Sequence, residues 1–508
     1  MNKTHGSLLL IASITASMVT ACASNSSSPA DQAGSEGASA GPAKITIMAN
    51  LHTAEVPSDA IEKMVEEKTN TELTIQWVPD GSYDEKLNAS FATGTLPQAT
   101  YLKNQTSLLM FRDAIRGGQF WEIGPLLGAY PNLKNLDPNV LRNTSVDGKI
   151  YSLYQERPLS RQGVIYRKDW ADALGLPEPK TTEDLYTMMK AFKEKDPDKN
   201  GKNDTIGLTD RNDLVYGAFK TVASYYGTPN GWGETDGKLA PEFTSPQYLE
   251  TMKFFRKLHQ EGLINQDFPV TSKTDQQNLF ITGKAGMYIG SLPDAQSLYQ
   301  KLIAVNPNMK LDVANRITGP QGKAGIWAIP GYGSAVLFPK SAIKTEAELK
   351  RVLSFYDQLM SPELGNLIYH GIEGKHYSLM EGKVAQVDDI KLTDREIKPY
   401  QALQVGGEST IKGFKESYYP LPVKDKAEKL VKDNNAILIH DPTAPLDSMT
   451  FTEKGPRLQE GIKDATYKFI LGAIDEAGFQ SAVDKWRKDG GDKIIEEYNA
   501  SFQQSQKK

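Results

Sequence analysis

The sequence predicts an α/β fold in which strands alternate with helices. Residues 44–48 and 72–78 have the alternating apolar pattern of strands, and the segment between them has apolar residues at helical spacing. A strand, a helix and a strand within so short a span are typical of a parallel crossover unit. The chain of 508 residues is long enough for two or three domains of roughly 100–200 residues each.

Capping and stop residues indicate where the first helices begin and end. Asp59 and Glu62 are spaced as in a capping box at the start of the first predicted helix. A second helix is predicted over 83–92, because Gly94 follows it and Pro97 prevents its continuation.

The middle of the chain continues the same order. Asp147 and Gly148 have turn chemistry and precede a predicted strand that reaches Leu153. A helix capped by Thr181 follows, and it carries apolar residues at positions i, i+3, i+4 and i+7, namely Leu185, Met188, Met189 and Phe192. Amphipathic helices are also predicted from residue 462 to the carboxyl end.

The amino end has the pattern of a bacterial lipoprotein signal peptide. Lys3 precedes an apolar run over 8–19, and small residues come directly before Cys22, the single cysteine. The run is too short to span a bilayer, which takes about 20 apolar residues. We therefore predict a signal peptide over 1–21, palmitate-type acylation of Cys22, and a flexible Ser, Ala, Gly and Pro tether over 22–44. The predicted location is the extracytoplasmic face of the cell membrane.

The charge balance excludes one class of partner. The net charge is -5, whereas a nucleic-acid-binding protein is expected to carry a basic stripe. Lipidation of Cys22 would also leave no thiol for disulfide, thiolate or cysteine–zinc chemistry.

Several separated segments, taken in order, resemble the family 1 extracellular solute-binding proteins of ABC transporters. The resemblance is closest to their lipoprotein branch, which includes alginate and oligosaccharide binders. It is carried by residues 83–97, 147–153, 166–192, 283–288, 371–377 and 461–499.

This resemblance implies a two-lobed periplasmic-binding-protein-like fold with a hinge and a ligand cleft between the lobes. By analogy, one lobe comprises 45–157 plus 327–375, and the other comprises 158–326 plus 376–508. The implied function is to capture an oligosaccharide and deliver it to the membrane subunits of an ABC importer, without catalysis. We expect the protein to be a monomer.

A loop after the Thr181 helix has the spacing of a calcium site. Calcium prefers several oxygen ligands, and the loop offers them at positions 1, 3, 5, 7 and 9, with Gly201 at position 6. The five candidate ligands are Asp196, Asp198, Asn200, the backbone carbonyl of Lys202, and Asp204. Gly207 replaces the bidentate Glu at position 12, which should weaken the site. The alternative is a solvated Asp/Asn turn without metal.

The resemblance suggests that this calcium is structural and lies outside the sugar cleft. In the alginate-binding relatives an acid stands beside the position-9 ligand, whereas Thr205 stands there in this chain.

Aromatic side chains in glycine-rich segments are the main candidates for contact with a sugar. Their faces can stack on the apolar faces of sugar rings. Trp232 lies in the glycine-rich stretch 225–233, which is expected to be exposed, and Trp327 and Tyr332 flank another such stretch. Tyr288 ends a segment that reaches the cleft in relatives. The alternative for each is ordinary core packing.

Three polar side chains near the presumed crossover complete the candidate ligand site. Arg161, Gln162 and Arg167 could bind hydroxyl groups or a uronate carboxylate. The alternative for each is a structural hydrogen bond or salt bridge.

Two other functions remain open at this point. A peptide-binding importer lipoprotein would have the same architecture, because a fold does not determine a ligand class. A lipid-anchored polysaccharide-degrading enzyme would need two positioned carboxylates, which sequence cannot exclude. The sequence contains neither a His-Glu-x-x-His motif nor a Gly-x-Ser-x-Gly motif, so no known motif supports catalysis.

Overall fold

The computed structural model describes residues 41–53 and 55–506. The predicted signal peptide, the lipidation site Cys22 and most of the predicted tether lie outside these residues. Within them, no helix combines the length and the apolar character needed to cross a membrane.

The strands of the described residues are distributed along most of the chain. They are β1 (Ala43–Leu51), β2 (Thr71–Pro79), β3 (Ala99–Leu102), β4 (Ser152–Glu156), β5 (Gln162–Arg167), β6 (Ile206–Thr209), β7 (Trp232–Thr235), β8 (Lys238–Pro241), β9 (Ala285–Ser291), β10 (Leu311–Ala314), β11 (Ile326–Trp327), β12 (Tyr332–Leu337), β13 (Tyr377–Met380), β14 (Lys383–Gln386) and β15 (Leu438–Ile439).

The helices fill the intervals between the strands and form most of the carboxyl-terminal region. They are α1 (Ala60–Thr69), α2 (Tyr83–Ala92), α3 (Gln105–Met110), α4 (Arg112–Arg116), α5 (Gly124–Leu127), α6 (Pro138–Asn143), α7 (Lys168–Ala173), α8 (Thr182–Glu194), α9 (Ala218–Tyr225), α10 (Pro246–Gln260), α11 (Lys273–Ile281), α12 (Ala295–Val305), α13 (Glu346–Leu359), α14 (Pro362–His370), α15 (Ile390–Glu396), α16 (Pro422–Asp433), α17 (Met449–Ile470), α18 (Glu476–Trp486) and α19 (Asp492–Ser505).

A five-stranded sheet with the order β2-β1-β3-β12-β4 forms the centre of what we call the first lobe. β1 pairs in parallel with β2 across α1, which confirms the predicted crossover unit. β12 pairs in the antiparallel sense with both β3 and β4. A strand from the second half of the sequence therefore lies between two strands from the first half.

A four-stranded sheet with the order β10-β5-β9-β6 forms the centre of the second lobe. Its side chains alternate between two apolar cores, as expected for a sheet covered on both faces. Val164 and Met287 belong to one core, beneath α8, α10 and α17, whereas Ile165 and Tyr288 belong to the other, beneath α12 and α16.

The local predictions for the helices were largely correct. α2 spans the predicted residues 83–92. Thr181 caps α8 in a capping box with Asp184, and the four apolar residues predicted on one face of α8 are all buried. Asp59 precedes α1 as predicted, but its side chain makes no capping hydrogen bond and instead pairs with Lys63 at 2.7 Å.

Within the described residues, the chain passes between the two sheets three times. The first passage joins β4 to β5, the second joins β11 to β12, and the third leads from Ile411 in the first core to Val423 in the core beneath α12 and α16. The third passage differs from the predicted division, which assigned all of 376–508 to the second lobe. Residues Tyr400, Ala402, Leu403, Val405 and Ile411 belong to the first core instead.

Asn434 links the first passage to the end of α16. Its side-chain amide is fully buried and donates to the carbonyl oxygens of Ser160 and Gln162, at 3.3 and 2.9 Å. A buried amide that donates twice fixes the backbone of the passage, because an unpaired buried polar group is costly.

Replacing Asn434 with Ala should therefore destabilise the protein. We expect the free energy of unfolding to fall by about 2 kcal/mol, since both donated hydrogen bonds are lost inside the protein. Urea denaturation measures this change. The neighbouring Asn435 is exposed, so Asn435→Ala should stay within about 0.5 kcal/mol of the parent. Equal effects of the two substitutions would contradict the structural role of Asn434.

Candidate functional site

A cavity of 360 Å³ lies between the lobes, where the first two chain passages run side by side. Residues 157–162 and 327–333 supply most of its walls, Tyr216 extends from the second lobe, and residues 103–105 close it from the first lobe. The cavity is therefore lined by both lobes and by the segments that join them, where ligand contact and lobe movement can be coupled.

Backbone hydrogen bonds hold the two passages together. The amide of Arg157 donates to the carbonyl of Gly331 at 2.9 Å, and the amide of Ile329 donates to the carbonyl of Leu159 at 2.8 Å. The first lobe adds a further bond, from the side chain of Gln105 to the carbonyl of Tyr332, at 2.9 Å. The floor of the cavity is thus a paired, extended segment rather than a loose loop.

Two aromatic side chains form an apolar corner of the cavity. The Trp327 ring is 4% exposed, and its indole N–H donates to the hydroxyl of Thr221 at 3.2 Å. Tyr216 packs edge-on against it, with ring centroids 5.6 Å apart, and is 51% exposed. The exposed Tyr216 ring offers a surface for a ligand, and Trp327 supports it from below.

Buried polar groups fix the backbone around Tyr216. The Arg211 guanidinium donates to the Tyr216 carbonyl at 2.6 Å, and the Tyr216 amide donates to the Asp213 carboxylate at 2.9 Å. The Asp210 carboxylate accepts from the amide of Ala218 at the start of α9, at 2.9 Å, and burial raises the pKa of Asp210 to about 7. Tyr216 is therefore presented by a preorganised loop.

The lining of the cavity is basic. It includes Lys103, Arg157 and Arg161 but no Asp or Glu side chain. Lys103 is paired with Asp80 and Asp84 of the first lobe, at 3.5 and 3.1 Å.

A second cavity of 530 Å³ continues from the first into the first lobe. The two share Lys103, Asn104 and Arg157, so together they form one elongated cleft. The second part is mostly polar and includes Asn50, His52 and Gln155. The size of each part is in the range of ligand pockets, about 300–1,000 Å³.

Residues 54–363 match the family described as bacterial extracellular solute-binding protein, which covers more than half of the chain. The chain belongs to this family. Because its members bind solutes, the prediction that this solute-binding protein is not an enzyme is confirmed.

Two proteins of Bacillus subtilis (strain 168) are similar over nearly the whole chain. The polygalacturonan/rhamnogalacturonan-binding protein YtcQ is 44% identical over 481 residues, which cover 94% of this chain and 95% of YtcQ. The lipoprotein LipO is 35% identical over 475 residues, which cover 91% of this chain and 92% of LipO.

The fold is also found in a solved structure. The HMO binding ABC-transporter associated solute binding protein from Bifidobacterium longum infantis superposes with a TM-score of 0.70 at 16% identity, covering 92% of this chain and 99% of that protein. The predicted two-lobed fold with a hinge and an interlobe ligand cleft is thereby confirmed.

Four of the predicted ligand residues of this solute-binding protein line the first cavity. They are Arg161, Gln162, Trp327 and Tyr332. Their common feature is that they lie at, or directly beside, the ends of the strands that the first two passages connect.

The other three predicted ligand residues lie elsewhere. Trp232 was expected to be exposed, but it is 4% exposed, begins β7 and packs edge-on against Tyr498 at 4.9 Å. It borders a separate cavity of 350 Å³ beside Asp441 and Phe451. Tyr288 is buried beneath α12, where its hydroxyl donates to Asp294 at 2.9 Å.

Arg167 has a structural role in this conformation. Its guanidinium donates to both carboxylate oxygens of Asp169, at 2.9 and 2.6 Å, and lies over the Trp170 ring at 4.3 Å from the centroid. It is 2% exposed and does not line the cleft.

Sequence reasoning missed Tyr216 and Arg157. Arg157 directly follows β4 and precedes Pro158, so its position at the end of a strand could have indicated a residue of the ligand site. Tyr216 follows Asp213, whose side chain accepts from the amides of Val215 and Tyr216. This is an Asx turn, which presents neighbouring side chains but does not reveal where they point.

An ion cluster joins the lobes at the separate cavity that Trp232 borders. Arg112 and Arg116 of α4 in the first lobe both contact the Asp447 carboxylate, which directly precedes the cap of α17. Arg112 also donates to the carbonyl of Leu446 at 3.3 Å, and Arg116 pairs with Asp147 at 3.1 Å. These contacts stabilise the present arrangement of the lobes.

The predicted calcium loop brings three candidate ligands together. The Asn200 side-chain amide donates to Asp198 at 2.8 Å and to Asp204 at 3.1 Å. Asp196 accepts from the backbone amides of Asn200 and Gly201, at 3.1 and 3.0 Å. Burial and the neighbouring Asp196 raise the pKa of Asp198.

The same loop also shows why a cation would be held weakly. Lys284 pairs with Asp204 at 2.6 Å and partly neutralises it. A side chain at position 207 is excluded, because a Cβ there would lie 2.5 Å from Cβ of Met189. Among the described residues, no group of three or more His, Cys, Asp or Glu side chains is arranged to hold a metal. A cation would therefore also need the Asn200 and Lys202 oxygens.

Proposed function

We propose that this solute-binding protein captures an oligosaccharide in the interlobe cleft and delivers it to an ABC importer. The observation that carries the proposal is the elongated cleft, in which the exposed Tyr216 ring lies next to a row of polar side chains. An aromatic face beside polar groups suits a sugar ring, which has apolar faces and hydroxyl edges.

The similar proteins support this proposal. YtcQ is named for binding polygalacturonan and rhamnogalacturonan, and the Bifidobacterium protein is described as HMO binding and ABC-transporter associated. A fructooligosaccharide ABC transporter substrate-binding protein, FusA of Streptococcus pneumoniae, is 27% identical over 304 residues.

The position of the cleft gives a mechanism for delivery. A ligand in it touches both lobes and both paired passages, so binding favours lobe arrangements in which all these contacts are made. The importer can then recognise the liganded arrangement of the lobes. The ligand only needs to bind this arrangement more tightly than the others.

Replacing Tyr216 with Ala tests the cleft. We expect oligosaccharide binding to weaken by roughly 1–3 kcal/mol, because a preorganised stacking surface is removed. Calorimetric titration of the full chain with galacturonan-derived and neutral oligosaccharides measures the change.

Two variants serve as controls for this experiment. Tyr216→Phe keeps the ring and should keep most of the affinity. Val215→Ala removes an exposed apolar side chain that does not line the cleft and should leave the affinity unchanged. An unchanged affinity of Tyr216→Ala would contradict the placement of the sugar, and binding of peptides in place of glycans would favour a peptide importer.

We also propose that Cys22 carries the lipid that anchors the protein to the extracytoplasmic face of the cell membrane. The signal-peptide pattern that ends in small residues directly before Cys22 supports this, and the similar LipO is named as a lipoprotein. A flexible tether would then let the lobes reach the importer.

The anchor can be tested by metabolic labelling with an alkyne analogue of palmitate. The parent should be labelled and found in the membrane fraction, whereas Cys22→Ala should be unlabelled, because no other thiol is present. Ser24→Ala provides a matched control in the same segment. Equal labelling of Cys22→Ala and the parent would refute acylation at Cys22.

Finally, we propose that the loop 196–204 holds one structural calcium ion. The Asp198 and Asp204 carboxylates, which share the Asn200 side-chain amide, support this, and the ion would relieve the repulsion among the acidic groups of the loop. Rotation of the Asn200 amide by 180° would turn its oxygen towards an ion held beside Asp198 and Asp204, and the hydrogen bond that this oxygen accepts from the Lys202 amide at 2.8 Å would be lost. The site lies in the second lobe, away from the residues that line the cleft.

Calcium titration of the chelator-treated chain tests this site. The parent should bind one ion and melt at a higher temperature with calcium, because the ion binds the folded state. The double variant Asp196→Asn, Asp198→Asn should show neither effect. Asp236→Asn, in the exposed turn between β7 and β8, should behave like the parent. Retained calcium binding by the double variant would exclude this loop.

A further inference from the structure

Two arginines of the cleft have no partner within the part of the chain that the structure describes. Arg157 and Arg161 both line the first cavity, and neither makes an ion pair or a side-chain hydrogen bond with a described residue. Lys103, the third cation of the first cavity, already has Asp80 and Asp84, and Lys398 of the second cavity is paired with Asp394. Because the protein as a whole carries a net charge of -5, this unneutralised positive charge is a local feature of the cleft.

The chemistry of arginine specifies what such groups bind. A guanidinium presents its N–H donors in a planar fork that matches the two oxygens of a carboxylate. Arg161 is half-buried, so it has lost part of its hydration without gaining a protein partner. An anion in the cleft would replace this lost hydration and pair with the charge.

Two buried polar groups beside Arg161 also lack partners. Ser160 and Gln162 line the same cavity and are 3% and 6% exposed. The Ser160 hydroxyl and the Gln162 side-chain carbonyl have no hydrogen-bond partner within the described residues. Gln162 can accept a bond from a ligand hydroxyl, and Ser160 can donate or accept one. Ser160 and Gln162, which can bind hydroxyl groups, therefore flank Arg161, which can bind a carboxylate. A sugar acid carries both hydroxyl groups and a carboxylate.

We infer that Arg157 and Arg161 form a carboxylate receptor in the cleft and that the captured oligosaccharide is acidic, with uronate-type units. This inference rests on the proposed function and specifies the class of sugar. Arg157 borders both parts of the cleft, so it can contact a unit in either of them.

Gly333 is the positioning residue for Arg157. A Cβ at position 333 would overlap the Arg157 Nε, so the side chain of Arg157 can take its position only because residue 333 is glycine. Gly333 is not among the glycines with positive φ, so its backbone also suits alanine. The substitution Gly333→Ala would move the guanidinium and leave the charge of the protein unchanged.

The test compares a trimer of galacturonic acid with its carboxyl-reduced, uncharged counterpart. Both are titrated calorimetrically into the full chain and into the variants Arg157→Gln, Arg161→Gln and Gly333→Ala. The parent should prefer the acidic trimer, and each variant should lose roughly 10- to 100-fold in affinity for it, as expected for a charged hydrogen bond. Affinity for the reduced trimer should stay the same, and the preference of the parent should decrease as salt increases.

Two comparisons separate a carboxylate receptor from a general effect of positive charge and from steric obstruction of the cleft. Arg351 is exposed on α13, has no ion pair with a described residue and does not line the cleft, so Arg351→Gln removes one positive charge elsewhere and should bind like the parent. If the methyl group of Gly333→Ala merely obstructed the cleft, that variant would lose affinity for both trimers.

The titrations also distinguish failure of the acidic-sugar inference from failure of the proposed function. Equal affinity of the parent for the two trimers, or undiminished binding of the acidic trimer by both arginine variants, would overturn the inference and leave the proposed function intact. If the parent bound neither trimer but bound other neutral oligosaccharides, the inference would likewise be overturned and the proposed function would stand. Binding of peptides and no glycan would overturn the proposed function as well.

Discussion

The pairing of the first two chain passages is the constraint on which the site depends. The amide–carbonyl bonds Arg157–Gly331 and Ile329–Leu159 hold two extended segments together between the lobes. Two unpaired passages would let the lobes adopt many relative orientations. The hydrogen bonds between the passages therefore restrict the relative movement of the lobes. It also places side chains from two distant parts of the sequence around one cavity, where neither segment alone would form a site.

The same arrangement makes the cleft sensitive to the orientation of the lobes. Tyr216 comes from the second lobe and Lys103 from the first, whereas Arg157 and Trp327 come from the passages between them. The contacts of Arg112 and Arg116 with Asp447 add an electrostatic link outside the cavity. Opening of the cleft in the direction of α4 and α17 has to break these ion pairs, which are weakened by salt where they are exposed.

Local sequence patterns were sufficient to predict individual helices and strands, but not the contacts between residues that are far apart in the sequence. The buried face of α8 follows from the spacing of Leu185, Met188, Met189 and Phe192, because one helix face contacts one core. Trp232 shows where this reasoning fails. Its glycine-rich surroundings suggested exposure, but α19 covers it through Tyr498, a residue far away in the sequence. The membership of 400–411 in the first core was missed for the same reason.

The sheet order of the first lobe has a consequence for the biogenesis of the protein. β3 and β4 are neighbours in sequence among the strands, yet β12 lies between them in the sheet. The sheet therefore cannot be completed until Leu337 has been synthesised, and the first core also awaits Ile411. Such dependence on distant contacts slows folding. A nascent chain of this design remains without a finished amino-terminal lobe until most of its length has been synthesised.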